Sequence, residues 1–148
     1  MAVELFKGTF GVETVQGKNG MVGVDELLKD KKAIGLYFSA HWCPPCRGFT
    51  PVLIEFYNNM KGNNQSLEII FVSSDRDQSS FDGYYSDMPW HAVSFENRDA
   101  KNVISEKYGV RGIPTFIILD SAGQIKDANG RATVQAAGGA GKLPDNWV

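Results

Sequence analysis

The stretch "SAHWCPPCRGFTP", residues 39–51, decides the fold because it joins a predicted buried strand to a predicted helix through the only two cysteines of the chain. The strand before it, "AIGLYFSA" (33–40), is an almost continuous apolar run, which is typical of a strand covered on both faces. After the cysteines, apolar residues recur at helical spacing on one face, at Phe49, Val52, Leu53, Phe56, Tyr57 and Met60. The cysteines therefore lie at a strand-to-helix junction.

The composition limits the classes of protein to which the chain can belong. Its 148 residues suffice for one domain, and 43% hydrophobic with 22% charged residues is ordinary for a globular protein. A net charge of −2 provides no basic field for nucleic acid or anionic membranes. Residues 1–13 lack the apolar segment of a secretory signal, so we expect a cytoplasmic protein, with the nucleus as the alternative. In such a reducing compartment, a Cys-x-x-Cys pair favours catalysis or metal binding over a structural disulfide.

The remaining segments predict a single α/β domain over residues 1–148, with a central mixed β-sheet flanked by helices. An N-terminal β-hairpin extension is predicted around a turn at 17–20, where Asn19-Gly20 provides residues that accept positive φ. Further elements are a buried strand at 67–74, helices at 78–88 and 97–109, and a hairpin from 115 to about 128. The glycine-rich run "AAGGAG" (136–141) predicts a flexible tail over about 135–148.

The position of the cysteines favours thiol chemistry. Cys43 directly precedes Pro44, a residue well suited to the first position of a helix. Backbone N–H groups and the helix dipole at such an end stabilise an anion, so we expect Cys43 to be a thiolate nucleophile with a pKa of about 7. Cys46 lies within the first turn and can reach the Cys43 sulfur as the resolving thiol. Trp42 can shield that sulfur and offer an apolar contact to a partner.

A second signal lies in "YGVRGIPTFIILD" (108–120), where Ile113-Pro114 directly precedes a predicted strand. This bond is a candidate cis peptide, since proline tolerates the cis form. Placed opposite Cys43, it would expose the backbone of residue 113 for strand-like pairing with a substrate. The predicted substrate-binding residues are Trp42, Pro44, Pro45, Ile113 and Pro114.

Two other interpretations of the cysteine pair are less consistent with the sequence. Structural zinc needs four ligands, and the only histidines, His41 and His91, are far apart in the sequence. An inert disulfide is disfavoured by the expected reducing compartment. We therefore expect a redox pair that requires no metal and no bound cofactor.

Three segments carry a resemblance to a known family: "WCPPCRGFTP" (42–51), "MPWHAVSFE" (88–96) and "GIPTFIILD" (112–120). The chain resembles, over about residues 22–133, the tryparedoxin and nucleoredoxin-like branch of the thioredoxin-fold oxidoreductases. The resemblance implies a thioredoxin-like three-layer sandwich and a monomeric dithiol reductant of partner disulfides, such as those of peroxiredoxin-type peroxidases. A low-molecular-weight dithiol or a thiol reductase would restore the reduced form. The resemblance equally permits a nucleoredoxin-like, redox-sensitive binding module that regulates a signalling partner.

The chain also departs from the resemblance. His41 stands where this branch is expected to have a small polar residue, and Tyr37 stands where ordinary thioredoxins have a buried Asp. Tyrosine cannot act as a carboxylate base, so another group or water must handle the proton at Cys46. His41 and Arg131, which matches an arginine of tryparedoxins, are candidates for tuning Cys43 or contacting the reductant. Asp75, after the second buried strand, is interpreted as a solvated loop charge, with a proton-relay role as the alternative.

Overall fold

The computed structural model describes residues 2–148, which form a mixed seven-stranded sheet in the order β2-β1-β5-β4-β3-β6-β7. The strands are β1 (Thr14–Gly17), β2 (Gly20–Gly23), β3 (Ala33–Ser39), β4 (Leu67–Ser73), β5 (His91–Ala92), β6 (Thr115–Leu119) and β7 (Ile125–Asp127). β4 runs parallel to both of its neighbours, β3 and β5, whereas the other strand pairs are antiparallel. The predicted N-terminal hairpin is confirmed as β1 and β2.

Helices cover both faces of the sheet, which confirms the predicted three-layer sandwich. They are α1 (Ala2–Glu4), which continues as a π-helical segment (Leu5–Thr9), then α2 (Val24–Leu28), α3 (Pro44–Gly62), α4 (Gln78–Tyr85), α5 (Arg98–Lys107) and α6 (Gly130–Ala137). One core cluster joins the sheet to α3, α4 and α6, and the other joins it to the N-terminal segment, α2 and α5. Among residues 2–148, no helix is both long and apolar enough to cross a membrane.

The central strand β3 contributes to both cores, because its seven residues are all buried and alternate between the two faces. Tyr37 belongs to the core on the α3 side, whereas Leu36 and Phe38 belong to the core on the α5 side. Gly35 leaves room for the Phe116 ring of β6, since a Cβ there would lie 2.5 Å from that ring. The sheet is thus packed on both sides directly below the end of β3, where the cysteines follow.

Helix α3 spans the predicted range in spite of Pro51 in its interior. Its buried face includes Phe49, Leu53, Phe56, Tyr57 and Met60, as the helical spacing predicts. Val52 was expected on the same face, but its side chain is 41% exposed. Helical spacing alone does not resolve the edge of an apolar face, and Val52 lies at this edge, beside the cavity between α3 and α6.

The structure corrects the expectation of a flexible tail at 135–148. The indole of Trp147 is fully buried, packs against the rings of Phe56 and Phe116, and donates a 2.8 Å hydrogen bond to Asp127. Leu143 is also buried. The glycine-rich composition favoured flexibility, but two large apolar side chains after it gain more by covering the sheet.

A buried carboxylate lies at the end of the sheet away from the cysteines. Glu68, near the start of β4, accepts hydrogen bonds from Tyr57 (2.9 Å) and Lys61 (2.6 Å). His91 Nδ1 lies 4.0 Å from the same carboxylate. Burial lowers the pKa of His91, and although Glu68 attracts the charged form, burial is the larger effect.

We expect His91 to make the stability of the fold sensitive to acid. Because its pKa is lower in the folded chain than the ordinary 6.5, the stabilising contribution is complete above pH 6.5. It is lost as the pH falls through the folded-state pKa. Urea unfolding of the disulfide form at neutral and mildly acidic pH should show a larger loss of stability in the wild type than in His91→Gln. Equal losses in the two proteins would contradict this assignment.

Candidate active site

Cys43 is the N-cap of α3, directly after the turn that follows β3. Its sulfur accepts a hydrogen bond from the backbone N–H of Cys46 at 3.4 Å. The two Cα atoms are 5.2 Å apart and the sulfurs are paired as a disulfide. A sulfur in this position faces the positive end of a 19-residue helix, which stabilises the thiolate once the pair is reduced.

The two cysteines differ in accessibility, as their predicted roles require. Cys43 is 5% exposed and Cys46 is fully buried. The neighbouring Pro44 and Pro45 are exposed at the start of α3, where their missing N–H groups cost no helical hydrogen bond. An incoming disulfide can therefore approach the sulfur of Cys43, whereas Cys46 is reached only from within the site.

The loop before β6 completes the surface around Cys43. The Ile113-Pro114 peptide bond is cis, as the sequence predicted. The carbonyl oxygen of Ile113 lies 3.7 Å from the Cys43 sulfur. Sequence-distant residues thus meet at the sulfur, and the backbone of Ile113 is placed beside the reacting atom.

Trp42 forms an exposed platform next to this loop. Its side chain is 47% exposed, while its indole N–H donates a 3.0 Å hydrogen bond to the carbonyl of Ser74. The guanidinium of Arg76 lies 4.9 Å from the centre of the indole ring. The ring is therefore held at one edge and remains open to a partner, which fits its predicted role in substrate binding.

The structure corrects the interpretation of Asp75 as a solvated loop charge and makes this residue a functional candidate. It is 5% exposed rather than solvated, and its two carboxylate oxygens accept from the backbone N–H of His41 (2.8 Å) and the hydroxyl of Ser73 (2.6 Å). The carboxylate thus links the end of β4 to the turn that leads into Trp42 and Cys43. Its position at the carboxyl end of a parallel strand, where α/β sheets place functional groups, was the available signal.

The imidazole of His41 does not join the cysteines. It stacks on the ring of Tyr84, with the ring centres 5.4 Å apart and the planes inclined by 28°. Within residues 2–148, no hydrogen bond connects this imidazole to Cys43 or Cys46. Any influence of His41 on the thiols must therefore act through Tyr84 or through its charge.

Arg131, the other tuning candidate, lies on α6, across from the first turns of α3. Its guanidinium is 5.7 Å from the centre of the Phe49 ring, and Phe49 is one turn after Cys46. The structure thus brings Arg131 to the helix that carries the cysteines, although not into contact with either sulfur. The position of Arg131 is compatible with the proposed contact with a reductant.

A buried network of hydroxyl groups lies beneath the cysteines. Thr50 Oγ1 donates to the carbonyl of Cys46 at 2.9 Å and lies 2.6 Å from the hydroxyls of both Tyr37 and Tyr84. Because Thr50 has one proton, both tyrosines must donate to it. Tyr84 in turn accepts from Ser39 at 2.7 Å. Every proton in this network is thereby assigned.

Tyr37, which stands where the resemblance places a buried Asp in ordinary thioredoxins, belongs to this network. Burial is the main cause that raises the pKa of Tyr37, so the phenol stays neutral at physiological pH. Neutral hydroxyls fix the first turn of α3 through the Cys46 carbonyl but do not accept the Cys46 proton as a carboxylate would. The site is therefore organised by hydrogen bonds rather than by a buried base.

Metal binding finds no support in the geometry of the described residues. Over residues 2–148, no group of three or more His, Cys, Asp or Glu side chains is arranged to hold a metal ion. His41 stacks on Tyr84, and His91 lies at the far end of the sheet beside Glu68.

We expect the hydroxyl of Thr50 to stabilise the fold through this network. Thr50→Val keeps the shape but removes the group that accepts the hydroxyl protons of Tyr37 and Tyr84, at a cost of about 1–3 kcal/mol. Thr50→Ser keeps the hydroxyl and should lose less. The measurement is the free energy of unfolding in urea, with exposed Thr14→Val as the matched control. A Thr50→Val variant that loses no more stability than Thr14→Val would contradict a stabilising role of the hydroxyl.

Comparison with known proteins agrees with the site geometry. A sequence model described as thioredoxin-like matches residues 30–125. Nucleoredoxin from Danio rerio is 42% identical over 125 residues, and tryparedoxin from Trypanosoma brucei brucei is 40% identical over 111 residues. The matches cover 82% and 75% of this chain, respectively. They cover 30% of that nucleoredoxin and 75% of that tryparedoxin, so the chain spans less than a third of the nucleoredoxin's length.

Solved structures show the same fold. Native tryparedoxin I from Crithidia fasciculata superposes with a TM-score of 0.84 at 38% identity, covering 95% of this chain and 96% of that one. Tryparedoxin II in complex with glutathionylspermidine superposes with a TM-score of 0.81 at 30% identity, covering 88% and 91% of the two chains. With the cysteines at a helix N-terminus and a cis-proline beside them, these matches show that the chain belongs to the thioredoxin-like family, as a relative of tryparedoxins and nucleoredoxins.

Proposed function

We propose that this chain is a thiol–disulfide oxidoreductase that reduces disulfides of partner proteins. The observation that carries the proposal is the position of the Cys43 sulfur, at the N-terminus of α3 and 3.7 Å from the Ile113 carbonyl. A partner segment that pairs with the backbone of Ile113 would present its own disulfide to this sulfur. The helix end would hold Cys43 as the thiolate that attacks it.

The reaction proceeds by two exchanges. The Cys43 thiolate attacks one sulfur of the partner disulfide, forms a mixed disulfide and releases the other sulfur as a thiolate. Cys46 gives its proton to the partner thiolate released in the first exchange, attacks Cys43 from the buried side and releases the second partner sulfur as a thiolate. The partner gains two electrons, and Cys43–Cys46 becomes the disulfide seen in the structure. No metal or bound cofactor enters either exchange.

Partners and donor follow from the same chemistry. Peroxiredoxin-type peroxidases are suitable substrates because their cycle generates disulfides that need a dithiol. A low-molecular-weight dithiol is the proposed donor, and the related tryparedoxin II that is complexed with glutathionylspermidine supports recognition of a small thiol by such a fold. A thiol reductase is the alternative donor. We place the protein in the cytoplasm, where reducing conditions would keep the pair in its active form.

Replacing each cysteine separately tests the two roles. Cys46→Ser should retain attack by Cys43 and accumulate mixed disulfides, visible as reductant-sensitive adducts on non-reducing gels. Cys43→Ser should form few adducts, because the accessible nucleophile is gone. Both variants should lose insulin-disulfide reduction, assayed with glutathione, a bis-glutathionyl dithiol or thioredoxin reductase as donor. Equal trapping by the two variants would contradict the assignment.

A second candidate function is a redox-sensitive binding module that regulates a signalling partner. It is favoured by the 42% identity to a nucleoredoxin of which this chain spans only 30%. Such a module would keep its binding surface when catalysis is removed. We expect partner binding by Cys43→Ser/Cys46→Ser, measured by calorimetry against the wild type, to fall at least about tenfold if reduction is the function. Unchanged affinity would instead support the binding module.

A further inference from the structure

A groove beside the reactive cysteine carries positive charge. It encloses about 260 Å³ and runs from Trp42 along α5 to the loop before β6. We call it the cationic groove; its charged and polar lining residues are Ser74, Lys101, Ser105 and Arg111, and Ile113 also lines it. None of the described residues that line it is acidic.

Among the described residues, Lys101, Arg111 and Arg76 form no salt bridge with an acid. Arg76 adds a further cation on the ring of Trp42, at the edge of the groove. The two acids beside it in the sequence are engaged elsewhere. Asp75 accepts from His41 and Ser73, and Asp77 caps α4 by accepting from the N–H of Ser80 at 2.7 Å. Three cations thus surround one side of the substrate surface, on a chain whose net charge is −2.

The groove is continuous with the point of reaction. Ile113 takes part in both, since its carbonyl lies 3.7 Å from the Cys43 sulfur and the residue also lines the groove. Trp42 likewise adjoins Cys43 and lines the groove. A partner segment whose cysteine reaches Cys43 therefore places its neighbouring side chains between Trp42, Lys101 and Arg111.

We propose that the cationic groove selects protein disulfides that are flanked by Asp or Glu. The inference rests on the proposed reductase function and adds the class of substrate. Carboxylates beside the partner cysteine would pair with Lys101 and Arg111 after the field of the three cations has steered the encounter. Lys or Arg at the same positions would meet like charges, which disfavours binding.

The test uses the reduced protein in a single turnover, so that no upstream donor is needed. Peptides that share one internal disulfide and carry either Asp and Glu or Lys and Arg beside it are mixed with the protein. Trp42, next to the cysteines, provides the fluorescence signal of oxidation. We expect the acidic peptide to react about tenfold faster at low ionic strength, with the ratio falling as salt screens the charges.

Charge reversal locates the effect. Lys101→Glu/Arg111→Glu should lower the rate with the acidic peptide about tenfold and raise the rate with the basic one. The matched control is Lys29→Glu/Lys126→Glu, which makes the same change in net charge at exposed residues outside the groove. This control should keep the preference of the wild type. Equal effects of the two double variants would contradict the role of the groove, because the net charge of the protein alone would then explain the preference for acidic peptides.

A neutral probe separates failure of this inference from failure of the proposed function. 2-Hydroxyethyl disulfide should oxidise the wild type and the groove variant at similar rates. If it oxidises them and the peptides show no charge preference, the groove assignment is wrong and the reductase remains. If none of the disulfides oxidises the wild type, the proposed function itself fails. The groove variant could instead lose its reaction with oxidised glutathione and keep its reaction with the acidic peptide. That result would contradict the proposal and assign the groove to small thiols.

Discussion

The hydrogen bond from the Cys46 N–H to the Cys43 sulfur is the interaction on which the site depends. It makes the sulfur the cap of α3, so the unsatisfied donors of a helix end act on the atom that reacts. A cap requires an extended residue directly before the helix, and Cys43 has that conformation after the turn that follows β3. Pro44 suits that requirement, since its fixed φ fits the first helical position and its missing N–H is not needed.

Two sets of hydrogen bonds hold the connection between β3 and α3 in place. Asp75 fixes the turn before Trp42 through the backbone of His41, and Thr50 fixes the first turn of α3 through the carbonyl of Cys46. Each set belongs to a different neighbouring element of the fold, the end of β4 in one case and the tyrosines of β3 and α4 in the other. The reactive sulfur is thus positioned by groups that do not contact it.

Local sequence was sufficient where one segment determines its own structure. The apolar run of β3, the helical spacing of α3 and the proline before β6 each predicted an element or a bond that the structure contains. Local sequence did not predict the burial of a side chain where that burial depends on residues distant in the sequence. Asp75 looks like a loop charge until His41 donates to it, and Trp147 looks like part of a tail until Phe56 and Phe116 cover it.

The same limit applies to Tyr37, because its place in the sequence shows a departure from ordinary thioredoxins but not the residues that compensate for it. A tyrosine in a central strand needs a partner for its hydroxyl when it is buried. That partner is Thr50, which is itself satisfied by the Cys46 carbonyl and by Tyr84. A carboxylate in this position would have met a hydroxyl-lined, buried site and needed a proton or a counter-charge. A set of hydroxyls from β3, α3 and α4 therefore takes the place of the carboxylate. Through the carbonyl of Cys46, these hydroxyls hold the resolving cysteine in position beside the attacking one.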